Sequence, residues 1–148
     1  MNISGTKVTD AGLAHLSDLT ALEYLCLQGT GITDAGLVHL QRLTGLTQLI
    51  LTDTGVTDAG LVHLAGLKRL ESLNLSNTNV TDAGLAQLST NAGIAGLNLS
   101  GTKVTDAGLV HLKQFPKMTK LNLTGTPVTD EGVKQAKKFL PFWAKVTR

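Results

Sequence analysis

The chain has 148 residues, 42% of them apolar, with 13 basic side chains against 11 acidic ones and a single cysteine. That length and apolar content suit one globular domain with its own core, and the solitary Cys26 excludes an intrachain disulfide or a cysteine metal cluster. No run approaches the about 18 to 20 apolar residues of a membrane helix, and no aromatic residues are interleaved among the lysines, which argues against a nucleic-acid partner.

Thr-Asp-Ala-Gly-Leu begins at Thr9, Thr33, Thr57, Thr81 and Thr105, and a decayed copy, Thr-Asp-Glu-Gly-Val, begins at Thr129, always 24 residues apart. A fixed period of this size means one supersecondary unit stacked on copies of itself. In chain order, Met1 and Ile3 align with Leu25 and Leu27, so the array opens mid-strand with an apolar edge that lacks a polar cap. The expectation is that a neighbour or further chain covers that edge.

The next unit, Leu22 to Leu43, shows the pattern of the rest. Leu25 and Leu27 alternate as in a short strand, whereas Leu37, Leu40 and Leu43 are spaced as on a helix. Strands are thus predicted near residues 24–27, 48–51, 72–75, 96–99 and 120–123, in one parallel sheet. Between strand and helix, Gly5, Gly29, Asp53, Asn77, Gly101 and Gly125 form a column of residues that tolerate positive φ, which predicts a left-handed turn. The threonines that follow, Thr6, Thr30, Thr54, Thr78, Thr102 and Thr126, are expected to bond backbone groups inside that turn.

Each helix is predicted to start at a threonine N-cap such as Thr33, with Asp34 favouring the positive end of the helix dipole and Ile32 stapled to Leu37. The glycine column from Gly12 to Gly132 sits inside the helix, where glycine costs about 0.5 to 1 kcal/mol, and its retention predicts close backbone packing. Asn91 replaces the apolar residue found at Leu19, Leu43, Leu67 and Phe115, so residues 86–96 are expected to be the least regular part of the helix side. At the far end, Phe139, Phe142 and Trp143 are expected to cap the array within residues 139–148, with Lys145-Val146 as a shortened last strand. Stacked strands need about 4.8 Å and packed helices about 8 to 10 Å, so the stack must curve, with the sheet on its concave face.

The phrase Leu22-x-x-Leu25-x-Leu27-x-x-Thr30 resembles the leucine-rich-repeat signature, with Thr where many families place Asn or Cys. The unit Leu97 to Leu109 is similar to the bacterial 24-residue repeats frequent in planctomycete proteins and, less closely, to the cysteine-containing repeats of F-box adaptor proteins. The resemblance implies an α/β right-handed solenoid over residues 1–148, of about six repeats, and leaves the ligand open.

Nothing in the chain forms a nucleophile motif, a phosphate-binding loop or a paired-carboxylate signature. His15, His39, His63 and His111 share one repeat column, and neighbours on adjacent helices are expected to lie too far apart to share an ion through bonds of about 2.0 to 2.1 Å. The sequons at Asn2, Asn74, Asn98 and Asn122 arise from the strand repeat and read as an asparagine row, not as glycan sites. Residues 1–102 carry four basic and eight acidic side chains, and residues 103–148 carry nine and three, so the halves stand at −4 and +6. Such polarity either steers partners or copies head to tail, or only solubilises the last coils.

Function is therefore sought at the outward strand positions, which carry no core duty. Tyr24, Cys26 and Ile50 break columns of otherwise small polar residues, and with Gln48 they make a candidate partner hot spot, followed along the sheet by Asn74, Asn98 and Asn122. The reading is a non-enzymatic module without cofactor or metal that binds a protein or peptide on its concave face. Its rivals are a structural spacer that self-associates through the N-terminal edge, and an accessory recognition domain of a ligase or kinase.

Overall fold

A computed structural model describes residues 1–148. Six short strands follow one another in space as in sequence: β1 (Tyr24–Cys26), β2 (Gln48–Ile50), β3 (Ser72–Asn74), β4 (Gly96–Asn98), β5 (Lys120–Asn122) and β6 (Lys145–Thr147). Every adjacent pair is parallel, and from β1 to β5 the register advances by one repeat, so Leu25, Leu49, Leu73, Leu97 and Leu121 stand in line. Val146 continues that line, as expected of the last strand. Asn2 bridges Cys26, which places the opening residues as an incomplete further strand.

The helix side is built from single turns. α1 (Asp10–Leu13), α2 (Asp34–Leu37) and α3 (Asp58–Leu61) each run four residues and tighten into a 3₁₀ turn. α4 (Asp82–Gln87) is longer, residues Asp106–Gln114 are 3₁₀ throughout, and α5 (Asp130–Ala136) is the longest α-helix. Strand leucines and helix leucines close on a single core of 33 buried residues, almost wholly aliphatic, with Phe115 its one aromatic ring. Leu140 joins this core, whereas Phe142 and Trp143 are 95% and 57% exposed and meet each other edge to face with ring centroids 5.0 Å apart.

The turn after each strand obeys the predicted chemistry. Gly5, Gly29, Asp53, Asn77, Gly101 and Gly125 all have φ between 55° and 71°. Two residues with a Cβ accept this conformation, and both are Asp or Asn, the types that tolerate it best. One residue on, the threonine hydroxyls donate to the carbonyl three residues back in the same coil, as Thr78 does to Leu75 at 2.6 Å. The remaining five threonines of the column repeat the bond at 2.6 to 2.7 Å.

Two parts of the helix side differ from the sequence expectation. The aspartate column does more than complement its own helix: Asp82 accepts from the backbone N–H of Thr105 at 2.8 Å and from its hydroxyl at 2.6 Å, one coil later. The pairs Asp10–Thr33, Asp34–Thr57, Asp58–Thr81 and Asp106–Thr129 repeat the clamp. The helical glycines make room for it, because a Cβ on Gly84 would overlap the Asp58 carboxylate and come within 2.8 Å of Val80 Cγ1. The Thr129 hydroxyl first, and its backbone amide second, hold the Asp106 carboxyl below the usual carboxylate range, with Arg148 adding a smaller pull and desolvation opposing. Each threonine also caps its own helix, as Thr33 does toward Ala35, except at Thr9.

The second difference is Asn91. The segment around it is not a frayed helix, since α4 is longer than its three predecessors and continues as 3₁₀ through Thr90. Asn91 is instead 1% exposed, with its Nδ2 donating to the carbonyls of Leu64 and Leu67 and its Oδ1 left without a partner. The inward geometry of the column outweighs the polarity of the residue that occupies it.

Candidate functional site

Pairing on parallel strands puts residues two apart on the same face, so the outward positions of the six strands form straight columns. One column reads Tyr24, Gln48, Ser72, Gly96, Lys120 and Lys145, and the next reads Cys26, Ile50, Asn74, Asn98, Asn122 and Thr147. All seven residues singled out from the sequence therefore lie on one face of the sheet. They are not equally available.

Cys26 corrects the expectation. It is only 4% exposed, flanked by Asn2 on one side and Ile50 on the other, with Tyr24 two residues before it on the same face. Its thiol is free and buried, which leaves Tyr24, Gln48 and Ile50 as the accessible members of the candidate patch. Desolvation first, and the hydrogen bond and charge of the Cys26 thiol after it, raise the Tyr24 phenol above its ordinary value.

Along the other strands the asparagines have a common posture. Asn74 Oδ1 accepts from the backbone N–H of Ser76 at 3.0 Å, and Asn98 and Asn122 do the same toward Ser100 and Thr124. A backbone N–H can bond only to the amide oxygen, so this contact fixes the orientation of each side chain and turns Nδ2 outward. The residues just past the strands are engaged as well: the Ser76 and Thr124 hydroxyls also donate to the asparagine oxygens, and the buried hydroxyls of Thr52 and Ser76 are 2.9 Å apart. Those residues brace the strand ends and offer little to a ligand.

The sheet face carries a groove of about 450 Å³ that runs from β2 to β6. Gln48, Ile50, Asn74, Asn98 and Asn122 line it, whereas Tyr24 and Cys26 do not. Lys120, Lys145 and Thr147 complete its far end, and no acidic side chain lines it. Gly96 presents no side chain between Ser72 and Lys120; a Cβ there would meet Ser72 Oγ at an ordinary 3.6 Å, so backbone crowding does not demand the glycine. The sequence holds a signal for the two lysines, since both sit in predicted strands and pair in register at the outward position.

Elsewhere the chain offers little chemistry. The histidines sit on the helix side, where Gln41 Nε2 meets His63 Nδ1 at 2.5 Å, and nowhere do three histidine, cysteine or carboxylate side chains gather. No helix is long and apolar enough to cross a membrane.

Comparison with known proteins supports the architecture. Residues 43–65, 68–89 and 116–135 match the model of a family described as Leucine Rich repeat. Among solved structures, internalin C2 of Listeria monocytogenes is similar, with a TM-score of 0.65 at 22% identity over 99% of this chain and 80% of that one. Internalin F of the same bacterium gives a TM-score of 0.55 at 17% identity, and this chain spans about half its length, 52%. No curated protein matches the chain. The matched stretches are leucine-rich repeats, and the chain that carries them folds as a leucine-rich-repeat solenoid.

Proposed function

We infer that the chain is a non-enzymatic recognition module that holds a protein or peptide partner against its sheet face. The observation that carries this reading is the contrast in duty between positions. Inward leucines, turn threonines and clamp aspartates are all committed to the fold, while Gln48, Ser72 and Lys120 are exposed side chains on the sheet face with no hydrogen bond or ion pair inside the chain. The likeness to internalins supports a protein partner by analogy of architecture, and the groove supplies a concave surface of the kind that solenoids use for binding. We read the 24-residue unit as the bacterial type on its Thr-Asp-Ala-Gly-Leu phrase.

The test begins with a photo-crosslinking residue at Ser72 on the sheet face or at Val62, a 48% exposed position of the helix side. Partner capture from Ser72 and not from Val62 is expected, followed by weaker binding of Tyr24→Ala and Ile50→Ser chains. Capture from Val62 alone would reject the reading. If Asn98→Ala weakens binding and the other two do not, the contact centres on the asparagine row instead.

A further inference from the structure

Deepening that reading, we propose that the groove selects an acidic, extended segment of its partner, with the carboxylates seated at Lys120 and Lys145 and the backbone carbonyls facing the asparagine row. Lys120 and Lys145 are direct register partners on β5 and β6, both exposed. Like charges on adjacent strands repel, and neither lysine has a carboxylate partner, since the chain's ion pairs are Arg42–Asp18, Lys134–Glu131 and Arg148–Asp130. An anion placed between them removes that repulsion.

The neutral part of the groove has the same polarity. Asn74, Asn98 and Asn122 spend their oxygens on the backbone N–H two residues ahead and leave Nδ2 as free donors. Along this row the acceptors are engaged and the donors free, which matches a ligand rich in acceptors. From β2 to β6 the groove crosses four strand steps of about 4.8 Å, or about 19 Å, which about six residues of extended peptide span. The gap at Gly96 leaves room for one side chain of that segment. Positive charge also gathers beside the starts of β3 to β5, where Lys68, Arg69 and Lys117 stand with the single Glu71.

The probe is an acetylated decapeptide of alternating glutamate and alanine, titrated at low salt into the full ¹⁵N-labelled chain. The side-chain amide signals of Asn74, Asn98 and Asn122 are expected to shift together. A Lys120→Glu/Lys145→Glu chain is expected to bind about tenfold more weakly, and a Lys137→Glu/Lys138→Glu chain, with the same net charge, within about twofold of the unaltered protein. An unchanged backbone amide spectrum in each variant certifies the fold. The proposal is overturned by equal loss in the two double variants, by equal binding of the glutamine-alanine peptide, by displacement with inorganic phosphate at the same concentration, or by asparagine signals that stay still at millimolar peptide. A partner that crosslinks at Ser72 through a neutral or basic segment would also overturn it while leaving the recognition reading intact; capture from Val62 alone would remove that reading whatever the decapeptide does.

Discussion

The helix-side spine and the sheet face are built on the same repeat, yet they tolerate variation very differently. At the spine, five aspartates clamp the threonine of the next coil with the same pair of bonds, and a glycine in each following helix makes room for the carboxylate. At the sheet face the equivalent positions hold Tyr24, Gln48, Ser72, Gly96, Lys120 and Lys145. The difference lies in what each position must satisfy. A clamp residue has a partner in the adjacent coil at fixed distance, whereas an outward strand residue has solvent, so only the latter is free to be shaped by a ligand.

The contrast breaks most sharply at Asp82. Asp82→Ala removes both bonds to Thr105 and is expected to cost about 3 kcal/mol in urea unfolding, because charge-assisted bonds exceed neutral ones and a half-buried N–H is left unpaired. Gly84→Ala tests the other half of the device. Alanine favours a helix, yet here its Cβ meets the Asp58 carboxylate, Val80 and Leu61, so a loss of about 2 kcal/mol is expected instead of a gain.

Asn91→Leu sharpens the comparison from the opposite direction and is expected to stabilise the chain by about 1 kcal/mol. It restores the apolar residue of its column and removes the unpaired Oδ1, and the Leu64 and Leu67 carbonyls keep their bonds from the backbone N–H groups of Leu67 and Leu70. The smallest effect concerns Asp106. Its folded carboxyl titrates below the unfolded value of about 3.9, so its contribution is present above that pH and fades as the pH falls through the lower folded value. Acid unfolding of an Asp106→Asn chain should accordingly be less steep between those two points than that of the unaltered protein.

The sequence made the repeat, the parallel sheet, the left-handed turn and the threonine bonds legible because each depends on a local spacing or on a residue's own backbone preference. What escaped depended on the adjacent coil. Local rules relate the aspartate to its own helix dipole, whereas its main partner lies 23 residues later and its glycine 26 residues later, distances that no local rule addresses. The outward face of Cys26 is legible from the alternation, but its burial is not, since Asn2 and Ile50 flank it from the coils on either side. Asn91 was read by its helix propensity, while its column, leucine or phenylalanine elsewhere, already marked it as inward. At the site, the asparagine row was visible as a column, but the direction of its donors required the bonds to Ser76, Ser100 and Thr124.

The division between fixed spine and free sheet face is tested most directly by the unfolding free energy of a Gln48→Ala/Ser72→Ala/Lys120→Ala chain. All three side chains are exposed on the sheet face and bonded to nothing within the protein. The expected value lies within about 0.5 kcal/mol of the unaltered chain, as for surface positions without structural duty. A loss of about 2 kcal/mol or more would show that the sheet face holds the stack together, and would contradict its assignment as a surface left free for recognition.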